Sequence, residues 1–172
     1  MRFNIRNMHM RDTPQVVEIE REAFPSMEPP TNFGRELKNG IAHYIVAFKD
    51  SAEGQQVIGL AGLWLLTVEA HIVNIAVRKP YRQQGMGELL LIGLIEKALA
   101  KEVSAITLEV RASDDIAKNL YIKYGFSIEG VRRGYYLDNR EDAIIMTLNN
   151  IATPEFKTKL QRLKENHSSK WG

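Results

Sequence analysis

Residues Val77–Leu90 read VRKPYRQQGMGELL. An apolar segment leads into this stretch, and three cations follow at Arg78, Lys79 and Arg82. Gly85 and Gly87 then stand just ahead of an apolar run, Leu89–Ile95, broken by Gly93. That order predicts a strand, a tight turn and a helix. The first turn of a helix carries N–H groups without intrahelical acceptors, at the positive end of the helix dipole. An anion placed there collects several hydrogen bonds at once. Two glycines remove the Cβ atoms that would obstruct a diphosphate, and Arg82 can add a charge-assisted bond. The same glycines also suit a plain strand-to-helix turn, so the stretch alone leaves both readings open.

Two phosphate-loop patterns do not fit it. A dinucleotide fingerprint needs G-x-G-x-x-G early in a βαβ unit, whereas here Gly85-Met86-Gly87 is followed by Leu90 and lies mid-chain. A Walker A loop needs Gly-Lys-Ser/Thr, which the chain lacks.

Outward from the stretch, the N-terminal side begins with alternation over 3–6, a first strand. Asp12 is positioned to cap a helix, with Gln15 as its capping-box partner and Pro14 in the first turn. Val16, Val17, Ile19, Ala23 and Phe24 give that helix an apolar face. Pro25, Pro29 and Pro30 force a loop before a short helix over 32–38. Strands at 43–48 and 56–66, separated by the turn residues KDSAEGQ, form an antiparallel hairpin, and 70–77 is a third strand. Beyond the glycines a helix runs to about Lys101. A strand at 105–111, a helix at 114–124 ended by Gly125, and strands at 126–130 and 143–148 complete the order. Crossover helices demand parallel pairing in the middle, and hairpins demand antiparallel pairing at the ends. The fold class is therefore α/β (α+β), a single mixed central sheet with helices on both faces. Residues 1–150 are expected to form the domain and 151–172 a C-terminal helical extension. Thr153-Pro154-Glu155 starts its helix, Phe156, Leu160 and Leu163 share a face up to about 165, and 166–172 is expected to fray.

Composition narrows the function. The 172 residues suffice for one domain with a real core. The absence of cysteine excludes disulfides, thiolate zinc sites and a Cys nucleophile, and fits a reducing cytoplasm. A net charge of +2 gives no case for nucleic acid. No apolar run is long enough to span a membrane, and the start, MRFNIRNMHM, has no signal-peptide h-region. His9, His43, His71 and His167 lack metal-ligand spacing, so no metal is expected, and no G-x-S-x-G elbow occurs.

The pattern Arg82-x-x-Gly85-x-Gly87, directly after Asn74-Ile75-Ala76-Val77, resembles the acyl-CoA motif of the GNAT superfamily of N-acetyltransferases, whose element order is also the one above. The resemblance covers roughly residues 2–149. Leu108–Ser113 (LEVRAS), Leu120-Tyr121, Gly125-Phe126, Arg132–Tyr136 (RRGYY), Arg140–Ala143 (REDA) and Ala23-Phe24-Pro25 are similar to the RimI branch, which acetylates protein N-terminal α-amines, typically of a ribosomal protein beginning with Ala.

The resemblance implies a site. Backbone groups of Ile75, Ala76 and Val77 would line the pantetheine of acetyl-CoA, and the loop Arg82, Gln83, Gln84, Gly85, Met86, Gly87 and Glu88 would hold the diphosphate. Glu109 would be the general base. It shares a strand face with Thr107 and Arg111, opposite Ile106, Leu108 and Val110, and faces a helix-covered cleft. A salt bridge to Arg111 or another cation is the structural alternative. Tyr121 would be the general acid, although spacing alone reads it as a core aromatic. Phe24 and Pro25 on one side, and Tyr135 and Tyr136 on the other, would wall the peptide entrance. Asp114 would be the last cofactor-binding position, and there the chain departs from the family: relatives usually carry a cofactor-contacting Asn, whereas an ionised Asp can cap the helix but cannot donate from its side chain and opposes nearby phosphate. The chain departs again at Ser26–Pro30, where relatives often place a Trp.

The leading expectation is direct acetyl transfer to a protein N-terminus. Transfer to a small amine or a lysine ε-amine is the second, and a non-catalytic acyl-CoA-binding module the third. The retention of both Glu109 and Tyr121 weighs against the third. Lys157, Lys159, Arg162 and Lys164 read as a solvated helix face, with contact to ribosome or RNA as the alternative.

Overall fold

The computed structural model describes residues 3–27 and 29–172; Glu28, in the expected entrance loop, and the first two residues of the expected domain lie outside them. The elements are β1 (Asn4–Asn7), α1 (Thr13–Ala23), α2 (Phe33–Lys38), β2 (Ala42–Ser51), β3 (Gly54–Leu65), β4 (Glu69–Val77), α3 (Met86–Ala100), β5 (Ala105–Arg111), α4 (Asp115–Lys123), β6 (Ser127–Arg132), β7 (Ala143–Leu148) and α5 (Pro154–Trp171). The strands form one sheet in the order β1-β2-β3-β4-β5-β7-β6. Every neighbour pair is antiparallel except β4–β5, so the mixed sheet expected from the sequence is the one observed.

Two apolar clusters sandwich this sheet. On one face α1 and α2 bring Val16, Ile19 and Phe33 against Tyr44, Val46, Val57, Leu60 and Ala76. On the other, α3, α4 and α5 bury Leu90, Leu94, Ile95, Tyr121, Tyr124, Phe156 and Leu160 with the opposite residues of the same strands. α3 is nearly apolar all round because it fills the centre of that second layer, with Leu90, Leu91, Leu94, Ile95 and Ala98 fully buried. The first layer does not extend over β5. Thr107, Glu109 and Arg111 face the α1 side of the sheet, but α1 packs on β3 and β4 and α2 on β2. The helix-covered cleft expected for Glu109 is thus an open one.

Asp12 behaves differently from the expectation. It is buried, at 2% exposure, and its carboxylate accepts two bonds from Arg6 (2.7 and 2.9 Å) and one from the His9 N–H (2.7 Å). Among the described residues no side chain caps α1, and Gln15 accepts the Val57 N–H instead (2.8 Å). A cation on the neighbouring strand outcompetes the local cap, because a desolvated carboxylate needs a paired charge. Burial opposes its ionisation, yet the Arg6 and His9 bonds together hold the Asp12 carboxyl below its ordinary value of 3.8. A folded-state value lowered in this way contributes stability above the unfolded value, and that contribution is lost as pH falls through the folded one. Asp12→Ala should therefore lower unfolding free energy by about 3 kcal/mol at pH 7, with the deficit shrinking below pH ~4. Urea titrations at the two pH values measure it.

The C-terminal helix is longer than the spacing suggests. It runs to Trp171 rather than fraying after residue 165. Thr153 caps it, accepting from the Phe156 N–H at 3.3 Å. Its last two turns find partners that only the folded chain supplies, as described below.

Candidate active site

β4 and β5 pair over three residues only, Glu69–Ala105, Ala70–Ile106 and His71–Thr107, and then separate. Beyond that point β4 keeps its ladder to β3 through Val77–Gly59, and β5 keeps its ladder to β7 through Arg111–Ala143. A bulge at Val73, where Gly62 faces Asn74 but Leu63 faces Ile72, re-aims β4 at the point of separation. The edge of β4 at Ile75–Val77 that faces β5 is therefore left without a strand partner inside the sheet. Unpaired strand groups in an interior cleft favour an extended ligand that completes them. Val77 is partly engaged already, since its carbonyl accepts Arg82 Nε at 2.9 Å.

The cleft ends at the glycine loop. Gln83 (φ +62°) and Gly85 (φ +79°) are both left-handed, and they turn the chain into α3 with Gly85 as N-cap. Among the described residues, the N–H groups of Gln83 to Glu88 donate to no protein acceptor. Gly87 differs from Gly85. A Cβ on Gly87 would meet none of the described residues within 4 Å, so their packing does not require a glycine there. Free amides, a dipole end and open space ahead of Gly87 fit a diphosphate. The loop's side chains serve mainly as braces. Arg82 lies 3.9 Å from Glu22, Gln84 donates to the Pro80 carbonyl (3.1 Å), and Met86 is core. Glu88 accepts from Tyr124 and from Lys123 (3.2 Å), tying α3 to α4, which leaves only its backbone facing the loop. Asp114 accepts the Ala117 N–H (3.1 Å) as the cap of α4, the capping role its residue type favours.

Glu109 sits where the strands part. One carboxylate oxygen accepts His71 Nε2 at 2.7 Å and the other accepts Arg132 Nε at 3.3 Å. The cation partner foreseen as an alternative is thus present, but it is His71 and Arg132; Arg111 instead pairs with Asp138 (2.9 Å) and Glu141 (3.3 Å). The His71 bond holds the Glu109 carboxyl below its ordinary 4.5 against the opposing effect of burial, and Arg132 adds to it. Beside the trio opens a cavity of about 370 Å³ floored by Thr107, Ile145 and Thr147. In the sequence His71 carries no metal-ligand spacing. Its one legible signal is alternation, which puts it on a β4 face beside whatever strand follows.

Tyr121 lies across the sheet from Glu109, in the α3-side cluster, with its ring centroid 5.5 Å from that of Phe126. It is only 9% exposed. Burial pushes the phenol well above its ordinary 10, with Asp114 and Tyr136 adding. Tyr136 is linked to both sides. Burial raises it to about 12, Arg111 opposes, and Tyr135, Glu109 and Glu141 add. The Arg111 guanidinium lies 4.0 Å over the Tyr136 ring, and Tyr135 meets that ring edge-on at 5.1 Å.

The end of α1 is also tethered. Phe24 caps the end of α1 and packs on its cluster, with Pro25 next to it. Buried Glu20 accepts the Thr31 N–H (2.9 Å) and Asn74 Nδ2 (3.4 Å), which fastens the α1–α2 loop to β4 beside Ile75. Glu20 and Asn74 carry no motif, and their role emerges only when the loop is closed.

A parted parallel strand pair, an open helix end and a carboxylate at the fork define an acyl-transfer class of fold and site. The chain belongs to the acetyltransferase (GNAT) family, whose sequence model matches residues 13–126. A Bacillus subtilis protein named "Putative ribosomal protein bS18-alanine N-acetyltransferase" is 40% identical over 143 residues, 83% of this chain and 92% of the relative. The crystal structure of the ribosomal-protein-S18-alanine N-acetyltransferase from Escherichia coli matches with a TM-score of 0.77 at 31% identity, over 87% of this chain and 94% of that one. A GNAT family acetyltransferase from Elizabethkingia anophelis with acetyl-CoA bound matches with a TM-score of 0.69 at 26% identity, over 86% and 97%. The chain is an N-acetyltransferase.

Proposed function

We propose that the enzyme moves the acetyl group of acetyl-CoA directly to the N-terminal α-amine of a protein, with a ribosomal protein beginning in Ala as the favoured acceptor type. Bound along the free edge of β4, acetyl-CoA supplies an activated thioester. The backbone of Ile75–Val77 aligns it, and the amides of Gln83–Glu88 hold its diphosphate. Glu109 accepts a hydrogen bond from the incoming amine and takes up its proton, directly or through water. His71 holds that carboxylate in place from behind. Tyr121, protonated at neutral pH, hydrogen-bonds the sulfur and gives its proton to it as the C–S bond breaks, so that CoA leaves as the thiol and the phenol recovers a proton from solvent. Phe24 and Pro25 face Tyr135 and Tyr136 as the walls that admit an extended peptide end.

The observation that carries the choice of acceptor is the pairing of the Glu109 carboxylate with His71 Nε2 at 2.7 Å and Arg132 Nε at 3.3 Å, which favours its ionised form. A carboxyl held below 4.5 is a weak base. It suffices for an α-amine, whose pKa of ~7.7–8.0 leaves much of it unprotonated near neutrality, and falls short for a lysine amine at ~10.4. The expected result is a kcat/KM for an Ala-starting peptide on the order of a few hundred times that for the same peptide with a blocked N-terminus and one internal Lys. Equal rates, measured as CoA thiol release at pH 7.5, would exclude this acceptor class.

A further inference from the structure

The last two turns of α5 lie outside the family match at 13–126, yet they reach back to the glycine loop. Phe156 and Leu160 anchor the helix in the core, and Lys164 pairs with Glu96 of α3 at 3.3 Å. Beyond that point the contacts change target. His167 Nε2 donates to the Gly85 carbonyl at 2.8 Å. The Trp171 indole lies so close to Gly85 that a Cβ there would stand 2.5 Å from its ring.

We propose that α5 is a clamp on the phosphate loop, and that His167 and Trp171 are positioning residues for acetyl-CoA. The idea rests on the cofactor reading given above. In a planar trans peptide the C=O and the following N–H point in opposite directions. Fixing the Gly85 carbonyl therefore aims the Met86 N–H, the first free donor of α3, the other way. The Leu89 N–H (3.0 Å) and His167 hold that carbonyl between them, so the peptide cannot rotate without breaking both bonds. Trp171 covers the same residue, whose left-handed φ of +79° turns the loop into the helix. A loop so held meets its anion already in the bound shape, which lowers the ordering cost of binding. Neither residue belongs to the buried core, and Trp171 is 39% exposed, so their work is at the loop rather than in the fold.

The test uses full-length protein, CoA titrations and steady-state kinetics. His167→Ala and Trp171→Ala should each raise the Kd for CoA and the KM for acetyl-CoA by about three- to tenfold, the weight of one such hydrogen bond or contact. The kcat at saturating cofactor should stay within about twofold. His167→Gln, which keeps an N–H donor at similar reach, should recover most of the loss. Lys164→Ala, which removes an α5–α3 ion pair away from the loop, should leave KM unchanged. If Lys164→Ala weakens CoA equally, general docking of α5 matters and the clamp is refuted. A lower KM for Trp171→Ala would make the helix a cover over the site, and unchanged KM with only a lower melting temperature would make it a brace of the fold; both outcomes overturn the proposal. A wild-type chain that does not bind CoA at all would instead bring down the cofactor reading. Wild type binding normally with variants binding equally would bring down the clamp alone.

Discussion

Glu109→Gln is expected to lower kcat for an Ala-starting peptide by about a hundredfold or more at pH 7.5, with the KM for acetyl-CoA within about twofold. The amide keeps the shape and can still meet His71 and Arg132, but it can neither take a proton nor attract a developing ammonium. The pH profile makes the prediction sharper. Glu109 sits below its ordinary 4.5 because of the His71 bond, with Arg132 assisting. It is therefore ionised throughout the neutral range and contributes no limb to the profile above about pH 5. The rise in wild-type rate should follow the acceptor's own amine, with a midpoint near pH ~8. A limb near pH 6 that vanishes in Glu109→Gln would mean that the carboxyl is raised, contrary to its surroundings here. Loss of His71 removes the largest lowering influence, so His71→Ala should move Glu109 upward and bring an acid limb closer to neutrality. Glu109 and His71 should not add in a double-mutant cycle, since each acts through the other. Additive losses would separate them into independent roles.

The contrast between these two residues explains what the sequence could reveal. Glu109 stands in a run of letters, LEVRAS, that carries its own signature. The glycine loop likewise compresses strand end, turn and helix start into a few adjacent residues. His71 lies 38 positions from Glu109 and meets it only because β4 and β5 run parallel with His71 opposite Thr107. Register of that kind is set by the whole sheet, and local spacing does not encode it. Asp12 shows the same limit from the other side. Its local pattern is that of a helix cap, and Arg6, brought close by the turn after β1, supplies a stronger partner. The end of α5 follows suit, because helix propensity over 166–171 is modest and the contacts that stabilise it come from Gly85, more than eighty residues earlier. Element order was legible because alternation and helical periodicity are local; partner choice was not, because burial and cross-strand register decide it.

Gly87→Asp is expected to move stability and cofactor binding in opposite directions. Gly87 lies in the first turn of α3, after Gly85 at the cap and Met86. Replacing glycine in a helix removes a backbone entropy cost, and an acidic residue at that end is favoured by the dipole by ~0.3–1 kcal/mol. None of the described residues lies within 4 Å of the new Cβ. The melting temperature should hold or rise by a degree or two. The Kd for CoA should nevertheless increase by about a hundredfold or more, because a carboxylate would occupy the place of the diphosphate and repel what remains of it. Gly87→Ala, which adds volume without charge, should weaken binding far less, and the gap between the two variants measures the electrostatic share. Unaltered CoA affinity in Gly87→Asp would exclude this helix end as the phosphate seat. Gly85 does not permit the same experiment. Its left-handed backbone and the Trp171 ring make any side chain there a defect of the fold. Of the two glycines in VRKPYRQQGMGELL, the first is required by the turn, and the second is unexplained until an anion is placed against it.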